Sequence, residues 1–105
     1  MKFSLIYITC KNQKEAQKIA KAVVDKKLAA CANIFPKIKS YYRWHGKAVW
    51  DQERVLILKT KKANLNKVIK KVKGIHSYKI PCILAFEIKG GNKEYLNWLD
   101  KAFKF

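Results

Sequence analysis

The sequence predicts an α+β fold of the split βαβ, ferredoxin-like kind, in which an antiparallel sheet carries helices on one face. Three observations predict it. Apolar residues recur at three- and four-residue spacing in two separate stretches, near 12–27 and 64–74. Four further stretches read as strands, two of them consecutive between the helices. A short helical pattern then follows the last strand after a glycine pair. The order is strand, helix, strand, strand, helix, strand, with an extra C-terminal helix, all in a single domain spanning 1–105.

The first strand is FSLIYIT, 3–9, with Phe3, Leu5 and Tyr7 on one side and Ile6 and Ile8 on the other, so both of its faces are covered. Asn12 stands three residues before Glu15, a helix cap followed by an acid in the first turn. Ala16, Ile19, Ala20 and Val23 form the buried stripe, with Lys14, Lys18 and Lys21 facing away, and the helix ends near Lys27. Strands at 32–44 and 53–60 are joined through HGKAVWDQ, which holds the only glycine between them, so they pair as an antiparallel hairpin. Asn64 caps a second helix with Leu65, Val68, Ile69 and Val72 inward, stopped at Gly74. A fourth strand runs 81–89 from Pro81, and Gly90-Gly91-Asn92 leads into a helix with Leu96, Leu99 and Phe103 on one face.

A chain of 105 residues buries roughly 60 to 70 per cent of its unfolded surface, so one core is feasible and a partner subunit would add to it. No apolar run is long enough to cross a membrane, and the start reads as a strand and not as a signal peptide. Cys10, Cys31 and Cys82 make no CxxC pair and are odd in number, which fits reduced thiols and a cytoplasmic location. Net charge is extreme: 24 Lys+Arg against 7 Asp+Glu, or +17. Only Arg43 and Arg54 are arginine, and lysine is the poorer reader of base edges. The lysines are spread from Lys2 to Lys104, which suggests a solvated basic surface with weak, nonspecific nucleic-acid binding at low salt.

No GxSxG, P-loop or GxGxxG is present, so the expectation is a protein that is not an enzyme. A nucleophile pair of Cys31 or Cys82 with His76 or His45 is conceivable, but any such composition offers one. Cys31, in the small-residue run LAACA, reads first as a buried small hydrophobe.

Three stretches in register, KLAACANIFP at 27–36, SYYRWHGK at 40–47 with LKT at 58–60, and HSYKIP at 76–81, resemble the CutA divalent-cation tolerance family. NKEYLNWL at 92–99 is similar to the family's closing helix, and the resemblance covers nearly the whole chain. It implies a ferredoxin-like subunit in a homotrimer, with the long hairpin lying on neighbours. Tyr41, Tyr42, Trp44 and Trp50 are then expected at the trimer interface, because exposed apolar area costs roughly 25 cal/mol per Å². It also implies binding of copper or another divalent cation, with His76 and Cys31 as ligands, beside a subunit-boundary cleft formed by Trp44, Lys59, His76 and Tyr78 that would take a metal or a small anion. No organic cofactor is expected.

The chain departs from the family pattern at three positions. Ile8 stands where copper-binding members place a first-strand cysteine, and Cys10, two residues on, would share its face. Ile75 replaces a second histidine, and Ser77 stands where proline is usual. Three functional readings follow: a metal-response trimer, which is preferred; a trimeric signalling or anchoring scaffold; and a polyanion-binding protein.

Overall fold

The computed structural model describes residues 2–104. Its elements are β1 (Phe3–Cys10), α1 (Gln13–Asp25), β2 (Cys31–Trp44), β3 (Lys47–Lys61), α2 (Leu65–Ile75), β4 (Ile83–Ile88) and α3 (Lys93–Lys101), with a 3₁₀ turn at Lys62–Asn64 before α2. The sheet order is β2-β3-β1-β4 with every neighbouring pair antiparallel, as the split βαβ arrangement requires.

Alternation along the strands sorts the sheet into two faces. Ile6, Ile8 and Cys10 of β1 and Leu56 and Leu58 of β3 point to one face, where they meet Ala16, Ile19 and Val23 of α1 and Val68 and Val72 of α2 in the core. The opposite face carries Leu5 and Tyr7, beside Phe86 and Leu84 of β4 by register. At its far end this face is met by α3, since Lys59 and Lys61, which alternate with Leu58 and Thr60, reach Tyr95 and Asp100. The third helix therefore lies across the sheet from the other two.

Both expected caps with a hydrogen-bonding Asn form at α1 and α3: Asn12 Oδ1 accepts from Glu15 N–H, and Asn92 Oδ1 from Glu94 and Tyr95 N–H. The end of α1 is a Schellman turn, with Lys27 N–H donating to the Val24 carbonyl and Leu28 N–H to that of Val23. Lys27 takes the left-handed position at φ 60.

Four boundaries differ from the expectation. HGKAVWDQ is not a connection: only His45 and Gly46 turn, both at positive φ (51 and 78), and Trp44 pairs directly with Lys47. This two-residue turn matches the twist of the strands it joins, so the ladder runs to the tip. The hairpin projects from the domain and accounts for its 45 Å long dimension against 25 and 23 Å. Its pairing shifts register between Phe35 and Ile38, at Pro36, which has no N–H to give the ladder. Asn64 makes no side-chain cap, because the 3₁₀ turn has already closed the start of α2. Gly74 stays helical, and α2 ends one residue later, at Ile75, with the backbone extended at His76. Finally β4 begins at Ile83, opposite Ile8, leaving Pro81 and Cys82 outside the ladder.

Candidate metal centre and adjoining cleft

Where β1 ends, Cys10 points into the core and the chain turns at Asn12 into α1, which brings Glu15 back over the strand end. Glu15 is buried, although its place in a first helical turn suggests a solvated acid. Its Oε1 accepts from Lys11 N–H at 3.0 Å and its Oε2 from Ser77 N–H at 2.8 Å. Burial alone would raise this carboxyl, but the hydrogen bonds from Ser77 and Lys11 hold it below the ordinary carboxylate value. Proline at position 77 could not supply that N–H, so the departure from the family pattern is a bond and not merely a looser turn.

His76 is fully enclosed. Its Nδ1 accepts Tyr78 N–H at 3.0 Å and its Nε2 lies 2.8 Å from the Thr9 carbonyl, which makes the ring neutral with the proton on Nε2. Both nitrogens are thus used, and Glu15 Oε1 at 4.0 Å faces a nitrogen that is already accepting. The Cys10 Sγ, a Glu15 carboxylate oxygen and a His76 ring nitrogen all lie within 4.8 Å of one another. Burial, with Glu15 and Glu53 adding to it, pushes the Cys10 thiol up to about 12.

The expected pair of His76 with Cys31 is not formed within the chain. Cys31 opens β2 opposite Lys59, whereas His76 holds Thr9, whose partner on β3 is Val55. Four residues of β3 separate the two levels, roughly 13 Å along the strand. The thiol beside His76 is Cys10 instead, brought there because α2 exits over the end of β1.

Tyr78 carries the cluster through to the opposite sheet face. Its hydroxyl donates to Glu53 Oε2 at 2.9 Å, and Ser40 Oγ donates to Glu53 Oε1 at 2.7 Å. Glu53 is only 6% exposed and has hydroxyls, not cations, as partners. Burial first, and then the bond to Glu53, push the Tyr78 phenol above its ordinary value. Around this group opens a cleft of about 610 Å³ lined by Tyr7, Tyr42, Trp44, Asp51, Glu53, Tyr78, Arg43, Lys79 and Cys82 among others. Of the four residues expected at a subunit-boundary cleft, Trp44 and Tyr78 line this single-chain cleft, while His76 and Lys59 do not. The Lys59 Nζ donates to Tyr95 Oη at 3.0 Å on α3, a bond that raises its pKa and ties the strand to the helix. The wall carries both signs of charge, Asp51 and Glu53 with Arg43 and Lys79, so it selects neither the metal nor the small anion expected for it by charge alone.

The four aromatic residues of the hairpin stand in water in the single chain. Trp50 is 69% and Tyr41 61% exposed, stacked on each other at 4.5 Å across the ladder. Tyr42 and Trp44 are also exposed and point to the cleft side.

Because Glu15 has a lowered pKa, its ionised form stabilises the fold above the unfolded carboxylate value, and that contribution is lost as pH falls through the folded value. Glu15→Gln is therefore expected to be less stable than the wild type at pH 7, with the gap closing as pH drops below about 4.5. Urea midpoints at pH 7, 5 and 3 measure it; a gap that does not change with pH would contradict the account.

Fold and site together define a small α+β protein with a buried thiol–carboxylate–imidazole cluster behind an open, partly acidic cleft. The family model described as "CutA1 divalent ion tolerance protein" matches residues 4–102, and the chain belongs to that family. It is 47% identical to the divalent-cation tolerance protein CutA of Archaeoglobus fulgidus over 94% of this chain and 96% of that one. To the chloroplastic protein CutA 1 of Oryza sativa it is 42% identical over 93% of its length, spanning 55% of the plant protein. Among solved structures, that of the A. fulgidus protein, described as periplasmic, superposes with a TM-score of 0.92 at 44% identity, covering 96% of this chain and 98% of the other.

Proposed function

We propose that the protein is a homotrimeric, non-catalytic divalent-cation binder, and that its ion is held by Cys10, Glu15 and His76. The observation that supports this most strongly is the convergence of three ligand atoms within 4.8 Å at one strand end. Metal–ligand bonds of 2.0–2.3 Å put tetrahedral ligands roughly 3.5 Å apart, so the cluster needs a contraction of only about 1 Å. One thiolate, one imidazole and one carboxylate suit copper or zinc. Uptake exchanges the Tyr78 or Thr9 hydrogen bond of His76 for a metal bond and displaces the thiol proton, and the cleft beyond Tyr78 gives a route from solvent.

The non-catalytic reading rests on the same thiol. A nucleophilic cysteine needs a depressed pKa, and Cys10, the one beside a histidine, has the reverse. A trimer is the assembly implied by the family resemblance, and the sheet face on which Leu84 and Phe86 stand half exposed supports association. A cytoplasmic location accords with three free thiols. The trimer acting only as a scaffold is the second reading, and the closed hydrogen bonding of His76 favours it.

Metal-stripped, reduced protein titrated with Zn²⁺ against a chromophoric chelator tests the site. Cys10→Ser is expected to weaken binding at least tenfold while Cys31→Ser leaves it unchanged. Equal loss in both variants, or none in either, would remove the Cys10 site and leave the scaffold.

A further inference from the structure

We propose that the outer surface of the α1–α2 layer docks the phosphate backbone of duplex nucleic acid. The positive charge, dispersed in the sequence, is concentrated in space. Residues 11–27 and 62–73 carry eleven lysines and two acids, and neither acid is free: Glu15 is buried and Asp25 is paired with Lys21. The inward stripes of the helices, Ile19 and Val23 on α1 and Val68 and Val72 on α2, fix which side faces out. That side presents Lys14 and Lys18 on α1 and Lys67, Lys70 and Lys73 on α2, all exposed, together with Lys21, whose charge Asp25 offsets.

Seven residues of helix span about 10 Å, and packed helices sit about 8–10 Å apart, so these lysines form one continuous patch. With the reach of the side chains it is roughly 20 Å across, alongside which a duplex presents about one phosphate charge per 1.7 Å of axis. The chemistry selects the phosphates and not the bases, because both arginines lie in the sheet strands, Arg43 on β2 and Arg54 on β3. It selects a duplex over a single strand, because among the described residues the exposed large aromatics lie on the sheet, hairpin and α3, leaving no stacking platform on α1 or α2. A membrane surface is disfavoured, since the apolar stripes of both helices are sealed in the core and have nothing to insert. The inference is independent of the metal site, and association through the opposite sheet face leaves the patch outside.

Fluorescence anisotropy with two 30-base-pair DNA duplexes of unrelated sequence tests it between 50 and 200 mM salt. With about six phosphate contacts, affinity should fall roughly 10³-fold over that range and be equal for the two sequences. Lys14→Gln, Lys18→Gln, Lys67→Gln and Lys70→Gln together should reduce the salt slope by about 3 to 4. Lys47→Gln, Lys89→Gln, Lys93→Gln and Lys101→Gln together, off the patch, should leave it unchanged. No saturable binding at 50 mM, equal loss in both variants, a tenfold preference for one sequence, or binding to anionic-lipid vesicles but not to duplex would each overturn the proposal.

Discussion

His76→Ala is expected to destabilise the fold by roughly 2–4 kcal/mol, a large effect for one side chain outside the main apolar core. The ring joins two backbone groups, receiving Tyr78 N–H and meeting the Thr9 carbonyl. Each buried polar group left unpaired costs about 1–3 kcal/mol. The loss also frees the 76–82 turn, so Tyr78 should release Glu53 and the cleft wall should loosen. Denaturant unfolding measures the cost, and amide exchange at Ser77 and Tyr78 measures the loosening. A cost under about 0.5 kcal/mol with unchanged exchange would mean that the ring does not bridge the strand end and the turn.

The second large effect concerns assembly. Leu84 and Phe86 are half exposed on β4 and share with Leu5 and Tyr7 the sheet face opposite α1 and α2. Burying the exposed half of each against a neighbour contributes about 1–1.5 kcal/mol at the usual worth of apolar area, and a carboxylate in its place carries a desolvation penalty besides. Leu84→Glu with Phe86→Glu is therefore expected to convert an assembled wild type into folded single chains at micromolar concentration. The single chain should keep its core, since neither residue belongs to it. Sedimentation velocity with circular dichroism separates the outcomes: an assembly that survives the double change would show that this face is not the interface.

Much of the fold was legible because its signals are local. Asn12 and Asn92 announce helix starts, Ile19 with Val23 and Val68 with Val72 declare the inward stripes, and the strand order follows from the sequence of periods. The hairpin turn is not legible because the strands outward of Glu53 have no core face, so Lys47 to Gln52 show no alternation; His45-Gly46 is the one cue. Gly74 misled because a helix-end glycine signals through positive φ, and here none is required.

The site was less legible, because it depends on where distant segments meet. Cys10 and His76 come together only through the exit of α2 over the end of β1, which no spacing within either segment encodes. Glu15 looked like an ordinary first-turn acid; the donor that makes its burial tolerable is the backbone N–H of Ser77, 62 residues away. The one available sign was Ser77 itself, a residue with an N–H where the family usually has none. Lys59 belongs to α3 because strand alternation sends it to the face where Tyr95 waits.

The central claim is most directly tested by native mass spectrometry of the reduced, metal-stripped protein titrated with Cu²⁺ and Zn²⁺. The account predicts a trimer that takes up one ion per chain. A trimer that stays metal-free, or a single chain throughout, would contradict it.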